Sequence, residues 1–218
     1  AAVLVGPLLA VYGQAYQTGA DPYELFLGWG ALILPWVALA RFGPLWLLLL
    51  LLVNTGLSRF WVQVLDGEPA PLLLTLALVN GVAWAVHELL AWRGVPWLRG
   101  RWLPRVLAVM TLLPLVALGE WVVVAPEEAD TASIAGLVLL VAVMGAAWRF
   151  HRAVRPELFL LTLDAMAVMV LLTTLVGRLL FDYVDELIVF FLMALFIIGE
   201  VGLTVWWLRA EARGPEEV

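Results

Sequence analysis

The sequence has no cysteine and no lysine; all 12 basic residues are arginine, and histidine occurs only twice. Without cysteine there is no disulfide, thiolate metal site or redox thiol to build on. No glycine-rich phosphate loop, HExxH, GxSxG or paired CxxC occurs either. No catalytic residue, metal site or cofactor is therefore expected, and the chain is not read as an enzyme. Glu120 and His87 are the groups an intramembrane enzyme would have to use. Charged residues make up only 14% of the 218 positions. Haem ligation by the two histidines is disfavoured, because His87 falls in an apolar run and His151 in a basic connection.

What is present is apolar. The hydrophobic fraction is 64%, and the mean hydropathy is +1.01. Soluble domains are about 45–50% apolar, so this composition belongs to a membrane protein. The chain begins Ala1-Ala2 with no basic region, which is not a signal peptide. Further sequence is expected before it.

The best-marked helix start is Asp21-Pro22-Tyr23-Glu24. Asp21 can cap, Pro22 suits the first helical position, and Glu24 can reach back to the cap. The residues behind it are apolar on every face, as in a membrane span. The same reading along the chain predicts an all-α bundle of about eight transmembrane helices forming one domain. Its spans are 1–16, 23–40, 45–65, 72–92, 103–125, 133–148, 157–181 and 187–208. A polar, frayed cytoplasmic tail follows at 209–218. The turn at Gln17 to Ala20 uses Gly19 as its left-handed residue. Pro35 is expected to kink its helix, and a carrier would be expected to have helices broken at Pro35 or Pro114. Gly28, Gly30, Gly81, Gly136, Gly145, Gly199 and Gly202 are expected to let helices approach closely. Met110, Met144, Met166, Met169 and Met193 read as core filler.

Loop charge predicts orientation. Alternate connections and the tail carry Arg41; Arg93, Arg99, Arg101 and Arg105; Arg149, Arg152 and Arg155; and Arg209 and Arg213, which is 10 of the 12 arginines. The other connections carry Asp21, Asp66, Glu68, Glu127, Glu128, Asp130, Asp182, Asp185 and Glu186, and no arginine. This alternation is the positive-inside pattern, with both ends of the sequence in the cytoplasm. Tryptophans such as Trp46, Trp97, Trp148 and Trp207 fall at the inner level; Trp61, Trp121, Tyr16, Tyr23 and Tyr183 fall at the outer one.

Polar groups inside spans are costly and mark candidate sites. Asn54 and Asn80 both fall near mid-span, where two amides can bond between helices. Towards the outer side, Arg59 and Glu120 are expected to form a structural ion pair, with Gln63 beside it. Arg178 lies one turn from Asp182 and can snorkel outward. Towards the inner side lie His87, Glu88, Asp164 and Glu200, a candidate proton or cation site. Asp164 and Glu200 sit on helices joined by the short hairpin Asp182 to Glu186, so they should be neighbours. With no arginine at that depth they should hold protons, share one, or bind a cation. The alternative is a neutral hydrogen-bonded packing pair. Arg93, Arg99, Arg101 and Arg105, interleaved with Trp97 and Trp102, read as interfacial anchors or as a surface for anionic lipid or an acidic partner.

The segment GQAYQTGADPYELFLGWGALILPWVALARFGPLW, Gly13 to Trp46, resembles a bacterial "predicted membrane protein" family of unknown function, domain of unknown function 2157. The later spans are similar in style to its longer members. The resemblance implies a multi-pass protein of the bacterial inner membrane, with a small membrane-anchored protein as a plausible partner. It implies no catalytic residues. The leading expectation is a non-enzymatic membrane component binding lipid or a protein partner, with no nucleic acid. The alternative is a small-solute, proton or cation transporter using the carboxylate pair.

Overall fold

Proline and short polar turns divide the apolar sequence into rods. In the computed structural model, residues 2–16, 19, 21–181 and 183–213 are described. They form α1 (Ala2–Tyr16), α2 (Pro22–Ala40), α3 (Gly43–Phe60), α4 (Pro69–Trp92), α5 (Trp102–Val124), α6 (Thr131–Ala153), α7 (Leu158–Phe181) and α8 (Glu186–Arg213). A π-helical turn, Trp61–Leu65, prolongs α3. No strand occurs among the described residues, so the all-helical reading holds.

Seven of these helices, α2 to α8, are long and apolar enough to cross a bilayer; α1 is apolar but has only 15 residues. At 1.5 Å per residue α1 reaches about 22 Å, short of a hydrocarbon core of about 30 Å. Along α8 the only buried residue is Val189, and Leu187, Phe190, Phe191, Ile198 and Trp206 are exposed. Soluble monomers rarely expose contiguous apolar patches beyond a few hundred Å². Lipid is the solvent that accepts such a helix.

The helix ends follow local chemistry. Glu24 accepts a hydrogen bond from the Asp21 backbone N–H at 3.2 Å, the return half of a capping box. Proline stands in the first turn of α2, α3 and α4, where a missing N–H costs nothing. Asp130 caps α6 by accepting from the Ser133 N–H at 2.8 Å. Arg41 and Asp66 take left-handed conformations, φ 48° and 44°, where α2 and the π turn stop. Gly19 is left-handed as expected, φ 64°; Gln17, Thr18, Ala20 and Asp182 lie outside the described residues. α2 and α5 run unbroken through Pro35 and Pro114, so the broken helices expected of a carrier do not occur at these two prolines.

The chain divides into two compact units, Ala1–Thr111 and Leu112–Val218. In the first, Ile33 and Val37 of α2 pack with Leu52 of α3, flanked by Val5 of α1 and by Trp29. The Trp29 indole donates to the Ala2 carbonyl at 2.8 Å, tying α1 to α2. Gly56 lets α3 close on α2: a Cβ there would lie 2.7 Å from Leu27 Cδ2. In the second unit Gly136 does the same for α6, since its Cβ would lie 2.8 Å from that of Leu118 on α5. Gly28, Gly145, Gly199 and Gly202 face open space, so they are not the packing positions expected of them. Met166 is exposed rather than core filler.

In each unit the interfacial aromatic and charged contacts sit at the helix ends. In the N-terminal unit Trp46, at the start of α3, stacks on Trp97 in the α4–α5 connection, centroids 6.3 Å apart. This brings the connection bearing Arg41 to the one bearing Arg93, Arg99 and Arg101. In the C-terminal unit Arg152 pairs with Glu211 at 3.0 Å and covers the Trp148 ring at 5.1 Å. At the other end of that unit Arg178 donates to the Val123 carbonyl and lies 3.7 Å from Glu127. Arg178 thus reaches the acidic end as expected. α8 carries its helix on to Arg213, through the first residues of the tail.

Candidate functional site

Two polar constellations stand inside the helices, one in each unit. The N-terminal one begins with Asn54 on α3, whose amide donates to the Leu50 carbonyl one turn back at 2.7 Å. The same amide donates to Asn80 Oδ1 on α4 at 3.0 Å, and Asn80 returns a bond to Asn54 Oδ1 at 2.8 Å. Asn80 also reaches the Met110 carbonyl of α5 at 3.4 Å. Three helices are thereby joined by one amide pair, the contact expected from mid-span depth. Every amide N–H and each Oδ1 has a partner, so the pair reads as a structural clasp.

The C-terminal constellation is different. The three helices α6, α7 and α8 present their faces at helical spacing around one recess of about 420 Å³. Asp164 and Val168 of α7, one turn apart, line it; so do Glu200, Thr204 and Trp207 of α8 and Met144 and Trp148 of α6. The walls are otherwise apolar, with Leu161, Met169, Leu172 and Leu203. The recess is open rather than enclosed. Asp164 is 5% exposed, and neither of its oxygens has a hydrogen-bond partner among the described residues. Glu200 Oε2 accepts from the Thr173 hydroxyl at 2.6 Å, while its Oε1 is buried without a partner. Thr204 donates to Met169 Sδ at 3.3 Å. No arginine lines the recess.

The expected inner-side cluster has members in both units, and its assembly across them stays an expectation. Asp164 and Glu200 meet around one recess in the C-terminal unit. His87 and Glu88 are buried on α4 in the N-terminal unit, 5% and 7% exposed. Arg59 is exposed on α3, and Glu120 is half-buried on α5; their pairing joins residues of the two units and stays an expectation. Arg93, Arg99 and Arg101 are exposed around the α4–α5 connection and Arg105 is half-buried on the first turns of α5.

Sequence reasoning missed Thr173 as the partner of Glu200, and Thr204, Trp148 and Trp207 as walls. The spacing Glu200, Thr204, Trp207 does mark one face of α8, a signal hidden because both tryptophans also suit an interfacial belt. A larger hollow, about 870 Å³, lies between α1 and α2. Its acidic residues, Asp21 and Glu24, are the helix cap described above, so it offers no unsatisfied buried group.

No curated protein and no solved structure matches the chain. The resemblance drawn on Gly13 to Trp46 is matched in the same region: residues 1–46, which cover α1, α2 and the first turn of α3, fit the family model described as Predicted membrane protein (DUF2157).

Proposed function

We propose that this integral membrane protein is a non-enzymatic component that works by binding, its occupant a membrane lipid or a membrane-anchored protein partner. Its place is the bacterial inner membrane, with the arginine-bearing connections on the cytoplasmic face. The observation that carries the binding reading is the open recess between α6, α7 and α8. Its volume falls within the range of ligand sites, about 300–1,000 Å³, and a mostly apolar wall with a few convergent polar groups is how such sites are built. Native mass spectrometry of the chain extracted from its own membrane tests this. A lipid or subunit is expected to remain bound to the native chain and to be lost when Gly145, which faces open space on the recess wall, is replaced by tryptophan. A native chain that arrives bare contradicts it.

A second reading, proton or small-cation carriage, is favoured by one observation: Asp164 and Glu200 face the same recess with no arginine on its wall. The unbroken helices at Pro35 and Pro114 leave it second. Ion flux into proteoliposomes that is abolished by Asp164→Asn would promote it; flux unchanged in the Asp164→Asn, Glu200→Gln double variant would remove it.

A further inference from the structure

We propose that the recess between α6, α7 and α8 is a site for an amphiphilic organic ammonium ion, whose charged head lies between Asp164 and Glu200 and whose apolar body lies along the α6 and α8 walls. The inference rests on the binding reading above and gives its recess a small-molecule occupant in place of the lipid or protein partner.

Charge comes first. Two carboxyls share the recess, and no arginine lines it. Two arginines of this unit are engaged at its ends: Arg178 with Val123 and Glu127, and Arg152 with Glu211. An unpaired carboxylate held away from water costs several kcal/mol. An ammonium placed between them supplies the opposite charge. Hydrogen bonding agrees with this. Both oxygens of Asp164 and Oε1 of Glu200 are buried and accept no hydrogen bond from the described residues, so three oxygen atoms can receive a donor. An ammonium supplies up to three N–H donors and accepts nothing.

Size and wall chemistry suit an occupant larger than a bare ion. A volume of about 420 Å³ would hold about 14 waters at roughly 30 Å³ each, far more than a small cation occupies. The thioethers and aliphatic chains of the wall suit a hydrocarbon body. The ring of Trp148 is already covered by the Arg152 guanidinium. A second cation at that rim would meet a like charge, which directs the head inward to Asp164. A zwitterionic lipid head would bring its phosphate into the same acidic recess, so a free amphiphilic amine fits better than a lipid amine.

The test uses the full chain in nanodiscs of neutral lipid and measures binding of octylammonium, octanol and octyl sulfate by titration calorimetry. Octylammonium is expected to saturate at one per chain, and octanol and octyl sulfate are expected to show no saturable site. Asp164→Asn is nearly isosteric and should weaken octylammonium at least tenfold, with thermal unfolding unchanged. Gly145→Trp keeps both carboxyls, fills the recess, and should abolish binding. Equal binding of octanol and octylammonium, or affinity unchanged in both Asp164→Asn and Glu200→Gln, overturns the proposal. Displacement of octylammonium by phosphatidylethanolamine in the disc overturns the assignment to a free amine and gives the site to a lipid head group. If octylammonium fails while the native chain still carries a lipid or subunit, only this inference falls; if the native chain is also bare, the binding reading falls with it.

Discussion

Asn54 on α3 and Asn80 on α4 exchange a reciprocal pair of amide hydrogen bonds, at 3.0 and 2.8 Å. In hydrocarbon neither amide has water to fall back on, so each depends on the other. Replacing one by leucine orphans its partner; replacing both removes the need.

A double-mutant cycle follows from that exchange. Asn54→Leu and Asn80→Leu are each expected to destabilise the chain by about 1 kcal/mol, with the double variant losing less than the two together. Reversible unfolding in detergent measures it. Additive losses would mean that the two amides act independently.

Gly136 carries a second prediction. A Cβ at this position would lie 2.8 Å from the Leu118 Cβ, and neither the α5 nor the α6 backbone can yield cheaply. Gly136→Val should destabilise by about 1–3 kcal/mol, the usual cost of overpacking. Gly145→Ala, with nothing within 4 Å, should be neutral. Thermal unfolding of the two variants side by side shows whether the close helix approach is where the contact places it.

The cap of α6 makes a pH-dependent contribution. The Ser133 hydroxyl and then its backbone N–H hold the Asp130 carboxyl below its ordinary value. A carboxyl depressed in the folded state adds stability that is complete above its unfolded value, about 3.9, and is lost as pH falls through the folded value. Asp130→Ala should therefore be less stable than the native chain at pH 7, and the difference should shrink below about pH 4. A difference that stays constant down to pH 2 would remove the cap from the account.

These particulars show what a one-dimensional reading can reach. Long apolar runs, proline at helix starts and turn glycines fix rods and their ends, because those are local effects. The Asn54–Asn80 clasp was legible because both amides lie at the same depth on consecutive antiparallel helices. Asp164 and Glu200 were legible as neighbours for the same reason, the short α7–α8 hairpin. Thr173, the partner of Glu200, was not, since depth along a helix does not say which side chain of a neighbouring helix it meets. The packing glycines were misjudged on the same ground: Gly136 and Gly145 lie on one helix, and only the position of Leu118 distinguishes them.

Loop charge gives a fourth prediction. The chain has no cysteine, so single cysteines report without background. Cysteines at Glu68 and Glu128 should react with an impermeant maleimide applied to the periplasmic side. Cysteines at Gly94 and Arg155 should react only from the cytoplasmic side. Any arginine-bearing connection labelled from the periplasm would break the alternation.

The recess itself can be probed most directly through Gly145, which lies on its wall and faces open space. Gly145→Cys is titrated in membrane vesicles with methanethiosulfonates carrying a positive, a neutral or a negative head. The cationic reagent should react fastest, and its advantage should vanish when Asp164→Asn and Glu200→Gln are added. Equal rates for all three reagents, or a cationic preference that survives loss of both carboxyls, would contradict the account of an acidic, reachable site between α6, α7 and α8.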